Sequence, residues 1–243
     1  MPKAWLELAE IALLNCASER FGVLYRMLWR MQLDAAVRRD PLDPDRVQMQ
    51  LWAKAVRREV HKMHAFVRFR PMQVAESAVD GTGPLYVAWF EPVHHIVQAA
   101  APFFVKRFAN MRWAILTPQC CLRWWPSAPD VAALAKQGVD PAYALQPLRG
   151  RPGVLSWGPG AQASDAPDAD AGEALWLTYY AHTFNPARLK VAAMRKEMPR
   201  RYWHNLPEAQ LISPLIQAAQ ARSSAMLRSA PSTPRRKRPK PSM

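Results

Sequence analysis

The run LYVAWF, residues 85–90, carries no charged side chain at either parity. A strand is expected to alternate apolar and polar when one face meets water, so a run apolar on both faces fits an interior strand of a sheet. Just upstream, AFVRFR (65–70) alternates, with Ala65, Val67 and Phe69 on one face and Phe66, Arg68 and Arg70 on the other. The segment between the two runs contains DGTGP, a strong turn signal, so the simplest arrangement is an antiparallel hairpin. RWAILT (112–117) predicts a third strand, and VLSW (154–157) a short further one.

Helical patterns surround these strands. Leu6, Leu13, Leu14, Leu24, Met27, Leu28 and Met31 recur at helical spacing across residues 3–33. RRDPLDPD breaks that pattern, and Asp43 followed by Pro44 has the signature of an N-cap with proline at the first helical position. The second helix is expected to run to about His64. HHIVQAAAPFFVKRFANM (94–111) predicts another, with Pro102 as a possible kink. Beyond residue 173 helices dominate again, and Ser213–Pro214 repeats the cap-then-proline signature. The fold class is therefore α+β, with helical N- and C-terminal regions around a small, mainly antiparallel sheet. A single domain is expected over residues 1–228, with an irregular, Pro-, Gly- and Ala-rich insertion at about 119–153. Residues 229–243 are Pro, Ser and basic residues almost throughout and are expected to form a disordered basic tail.

Composition narrows the function. The 243 residues carry 33 Lys and Arg against 19 Asp and Glu, a net charge of +14. The tail holds five of these positive charges (Arg235, Arg236, Lys237, Arg238 and Lys240) and no acid, so the rest of the chain keeps a net +9. A surplus of this size favours polyanionic partners. The three cysteines (Cys16, Cys120 and Cys121) form no metal-ligand spacing and fit a reducing compartment. Glu7 and Glu10 interrupt the N-terminal apolar run, unlike a signal peptide, and no run approaches a membrane span. A cytoplasmic protein with no membrane partner is expected.

The common phosphate-loop, dinucleotide, nucleophile-elbow and HExxH signatures are missing, so no reaction is identified. Whether the protein is an enzyme stays open. One catalytic candidate is HKMH (His61, His64) before the first hairpin strand with EPVHH (Glu91, His94, His95) after the second. A hairpin brings those ends together, so His61, His64, Glu91 and His94 could ligate a divalent metal or work as an acid–base set. Equally, they could be junction residues hydrogen-bonded to helix ends.

The second candidate is FNPARLKVAAMRKEMPRRYWHNLPEA (184–209). Asn185 and Pro186 should start a helix that Pro199 ends, followed by a basic and aromatic turn. Arg188, Lys190, Arg195, Lys196, Arg200 and Arg201 would contact phosphates near the N-cap Asn185. Tyr202 or Trp203 could stack on a base, or both rings could anchor the turn in the core. Arg68 and Arg70, with Phe66 beside them on the hairpin, form a third nucleic-acid candidate unless a helix covers that face.

Three blocks, HKMHAFVRFR, YVAWFEPVHHIVQAAAPFFVKRFANMRWAILTP and LWLTYYAHTFNPARLKVAAMRKEMPRRYWHNLPEA, occur in this order. They resemble a bacterial DNA-metabolism, DNA-repair domain family of unknown function. In other proteins that domain is placed ahead of a uracil-DNA-glycosylase-like, uracil-DNA-binding domain, or stands alone, encoded beside a radical-SAM partner. The resemblance implies an accessory role in DNA repair or modification, with DNA as a partner and a radical-SAM or uracil-DNA-binding protein as another. It names no reaction. The alternatives are a metal-dependent or acid–base enzyme acting on nucleic acid, and an adaptor docking a repair enzyme. Relative to the family, this copy is expected to start late and to carry a longer segment after Pro118. With no glycosylase domain following, uracil excision by the chain alone is not expected.

Overall fold

The computed structural model describes residues 3–34, 36–37, 39–72, 84–127, 146–147, 153–167 and 191–228, with isolated positions at 173, 177–178 and 181. The chain divides into two compact units, Met1–Asp170 and Ala171–Met243. The fold is α+β.

In the first unit the N-terminal helical region consists of α1 (Lys3–Leu13), α2 (Arg20–Leu33) and α3 (Pro44–Phe66). The periodicity over 3–33 is thus split in two. The break at 14–19 is held by the Asn15 side chain, which accepts the Ala17 N–H at 3.0 Å, and by the Leu14 carbonyl, which accepts the His95 N–H at 2.8 Å. Ala9, Ala12, Val23, Leu24, Met27, Met31, Met49 and Trp52 form a core between the three helices. Asp43 caps α3 as its sequence predicts, its carboxylate accepting the N–H groups of Asp45 (3.0 Å) and Arg46 (3.2 Å). Arg26 pairs with Asp45 and Arg30 with both aspartates, joining α2 to the start of α3. The Arg26 hydrogen bond, its largest influence, holds the Asp45 carboxyl below the usual carboxylate range against the cost of burial.

The sheet contains six described strands in the order β1-β2-β3-β4-β6-β5. They are β1 (Arg70–Met72), β2 (Leu85–Trp89), β3 (Trp113–Leu116), β4 (Cys120–Trp125), β5 (Gln146–Pro147) and β6 (Val154–Pro159). All neighbours are antiparallel except β2 and β3, whose parallel pairing needs a crossover. Helix α4 (Val97–Arg107) lies in that crossover, with Pro102 inside it. LYVAWF is the interior strand expected of it. The antiparallel β1–β2 pairing is also as expected, with Arg70 opposite Val87 and Met72 opposite Leu85.

Two expectations need correction here. AFVRFR does not form the first strand: Ala65 and Phe66 complete α3, and β1 begins at Arg70. Phe66 lies three residues after Met63 and ten after Val56, so it continues the buried stripe of the helix, and burying it decides between the two periods. Cys120–Trp125, within the stretch read as irregular, is instead an interior strand, paired along its length with β6 and at Leu122, Arg123 and Trp124 with β3.

Parity separates the two faces of the sheet. Trp113, Ile115, Leu122, Trp124 and Leu155 share one face, by register. Phe69, Phe104 of α4 and Phe108 at its C-cap contact Trp113 or one another there, with ring centroids 5.1–6.5 Å apart. The Trp124 indole donates to the Ala109 carbonyl at 2.9 Å, fixing the end of α4 to the same face. The opposite face carries Val87, Ala114, Leu116, Cys121, Arg123, Ser156 and Gly158.

In the second unit, α5 (Val191–Glu197) precedes a 3-10 turn (Arg200–Asn205) and α6 (Ala209–Arg228). Pro199 stops α5 as expected and stands at the N-cap of the 3-10 turn. Ser213 does not start a helix: α6 runs from Ala209 with Pro214 inside it. Proline so near the start removes one intrahelical hydrogen bond, which later turns tolerate. The expected helix start at Asn185–Pro186 and the tail at 229–243 lie outside the described residues. No described helix is long and apolar enough to cross a membrane.

Candidate functional site

The histidine–glutamate cluster is not assembled. Because α3 extends to Phe66, His61 and His64 occupy its last two turns and do not sit at the mouth of the hairpin. His61 is exposed. His64 stacks on Phe103 at 4.0 Å and meets the edge of Phe104 at 5.6 Å, with its Nε2 buried and unpartnered. Burial pushes the His64 pKa down and the nearby His61 adds to this, while the Ala100 backbone opposes it. His94 turns the other way, its Nδ1 accepting the Cys16 N–H at 3.3 Å. Glu91 is exposed and accepts the Trp89 indole N–H at 2.9 Å. Among the described residues no three His, Cys, Asp or Glu side chains come together as a metal-binding group.

The carboxylate that matters at this junction is one that sequence reasoning missed. Glu59 is 1 % exposed, and its two oxygens accept the N–H groups of Val93 (3.0 Å) and His94 (2.7 Å). It ties α3 to the loop before α4. The signal was in the sequence: Trp52, Val56, Met63 and Phe66 mark an apolar stripe, and Glu59 occupies a position of that stripe. A charge there is buried and must be hydrogen-bonded.

The hairpin arginines also have structural duties. Arg68 donates to the carbonyls of Ala65 (2.7 Å) and Val67 (3.2 Å), closing the C-terminus of α3. Arg70 donates to the Pro167 carbonyl at 3.1 Å. With Phe66 buried in the helix, the expected Phe66–Arg68–Arg70 strand face does not exist.

In the second unit Asn185, Arg188 and Lys190 lie outside the described residues. Arg195 and Lys196 are exposed on α5, and Arg200 and Arg201 on the 3-10 turn. Arg195, Lys196 and Arg200 have no ion pair among the described residues. Tyr202 is 1 % exposed, so its ring offers no stacking surface. It anchors the turn, with Arg201 over its face at 4.6 Å. Trp203 donates its indole N–H to the Met198 carbonyl at 2.9 Å, which fixes the bend after α5.

A further basic surface, not singled out in the sequence, lies in the first unit. A groove of about 640 Å³ is lined by Pro84, Tyr86, Phe108, Ala109, Asn110 and Met111 together with Lys106, Arg107 and Arg112. Its described lining residues include three cations, of which Arg112 is buried, and no carboxylate. Lys106 and Arg107 occupy the last turn of α4, where the helix dipole favours positive charge, and neither is ion-paired among the described residues. The Arg112 guanidinium lies over the Trp125 ring at 4.5 Å. On α2, Phe21, Tyr25, Trp29 and Leu33 recur every four residues and are each more than half exposed.

Fold and surface define an α+β protein with a mixed sheet of six described strands and a basic, aromatic groove beside β2 and the end of α4. The chain belongs to the DUF4130 family, described as a domain of unknown function, which matches residues 18–208. No curated protein and no solved structure matches it.

Proposed function

We propose that the protein binds DNA as an accessory to its repair or modification. The observation that carries this reading is the groove in which the exposed Lys106 and Arg107 lie with Tyr86, Phe108 and the buried Arg112, with no acid among the described lining residues. Cations beside aromatic rings suit a phosphate backbone with an unstacked base alongside. The exposed Arg195, Lys196 and Arg200, which have no ion pair among the described residues, the net charge of +14 and the resemblance of the sequence blocks to a DNA-metabolism domain support the same reading. The alternative of a metal-dependent enzyme lacks a ligand set among the described residues.

The test is fluorescence anisotropy of the full chain with single-stranded, duplex and uracil-containing DNA across a salt series. On duplex DNA, K106A/R107A should flatten the log-affinity against log-salt slope by up to about 2, at roughly 0.9 per lost phosphate contact. R195A/K196A should flatten it similarly. Affinity insensitive to salt, or unmoved in both double variants, would sink the proposal.

The exposed stripe Phe21–Tyr25–Trp29–Leu33 favours a second reading, an adaptor docking a partner protein. It predicts a complex that survives nuclease treatment and dissolves in Y25E/W29E. A complex lost on nuclease treatment alone would count against it.

A further inference from the structure

The sheet face turned away from α4 contains a cavity of about 380 Å³. Its floor is apolar: Val87, Ala114, Leu116 and Cys121, with Met72 and Leu85 packed against them. The room comes from small residues, since Ala114, Gly158, Gly160 and Ala161 all line it. A Cβ added at Gly158 would meet only the Cys121 Cβ, at an ordinary 3.7 Å. Burial pushes the Cys121 thiol up more than any other influence on it, so the floor stays neutral at physiological pH.

Two charged side chains, Arg123 and Asp165, line this apolar setting. Arg123 lies on β4 with Ala114 opposite it on β3 and Ser156 opposite on β6, two neighbours too short to cover a guanidinium. It is partly buried and has no ion pair among the described residues. Asp165, a carboxylate that also lines the cavity, forms no salt bridge with it. Its oxygen instead accepts the Gln162 N–H at 2.8 Å, in the capping box of the Ala163–Asp165 turn. The Ser156 oxygen accepts the Trp125 indole N–H at 3.4 Å, which leaves its own O–H to donate.

We infer that this cavity binds a small organic anion, its apolar body on the Val87–Leu116–Cys121 floor and its carboxylate or phosphate on Arg123. A partly desolvated guanidinium that no described carboxylate pairs with recovers its lost hydration when a planar or tetrahedral oxyanion arrives, and its fork geometry matches both. The volume lies at the lower end of small-molecule pockets, which run from about 300 to 1,000 Å³, and so fits one or two rings and an acidic head. This site is separate from the basic groove and does not depend on DNA binding.

The experiment is isothermal titration of the full chain with 1-naphthoate and with phenyl phosphate, against neutral 1-naphthalenemethanol and inorganic phosphate. At least one aromatic anion should bind at least tenfold more tightly than either control. That anion's identity distinguishes a carboxylate from a phosphate ligand. R123Q should weaken its binding at least tenfold. G158L, which fills the cavity from a position with room for a side chain, should weaken it as much and serves if R123Q fails to fold. The inference is overturned by heat from neither anion, by equal binding of the neutral alcohol or inorganic phosphate, or by unchanged binding in either folded variant.

Discussion

The two faces of the sheet come from the same alternating strands and end in opposite states. The face toward α4 is filled by Trp113, Trp124, Phe104, Phe108 and Phe69, rings packed against rings. The other face carries Ala114, Cys121, Ser156 and Gly158 and retains a cavity around Arg123. The difference lies in side-chain volume at matched register positions, since one backbone serves both. At the centre of the sheet, large rings at one parity fill one face, while Ala114, Ser156 and Gly158 at the next leave the space on the other, although Trp89 and Trp125 share that second parity.

Two glycines near the same strand allow the contrast to be broken directly. A methyl group at Gly153 would run into the Trp124 ring and come within 2.6 Å of the Trp125 carbonyl oxygen. G153A should therefore destabilise the protein by roughly 1–3 kcal/mol, as overpacking does. This is the largest effect expected, and chemical denaturation measures it.

The next effect is pH-dependent and belongs to the packed side. The His64 pKa is lowered in the folded protein, mainly by burial, so the unfolded chain binds its proton more readily. Stability from this site is complete above the unfolded value of about 6.5 and falls as pH drops from there toward the folded value. Thermal melts should show Tm falling from pH 7.5 to 5.5. H64F, which keeps a ring against Phe103, should lessen that dependence. An unchanged pH profile in H64F would show that His64 is not the group responsible.

The smallest effect is on the cavity side. G158A should change stability by no more than about 0.5 kcal/mol, the range of substitutions that disturb no packing. If it cost as much as G153A, the cavity face would be as tightly filled as its opposite, and the contrast would fail.

Several elements were legible because their causes are local. The carboxylate of Asp43 and the fixed φ of Pro44 start α3 whatever surrounds them, and LYVAWF had to be interior because no water-facing side is available to it. AFVRFR misled because six residues satisfied two periods at once, and only the site available to Phe66 chose the helix. That choice displaced the hairpin and dispersed His61, His64, Glu91 and His94. The Lys106–Arg107–Arg112 groove gave little warning, since helix-end cations precede many strands without forming a surface.

The sequence by itself determined the α+β class, the capped third helix, the interior strand and the basic character of the chain. Each follows from interactions within a few residues or from composition alone. Tertiary structure alone decided that Cys120–Trp125 is a central strand, that Glu59 holds the 93–94 backbone, and that Arg123 faces a cavity. Those outcomes depend on which strand lies beside which and on what volume the opposing side chains leave, quantities set by contacts between residues far apart in the chain.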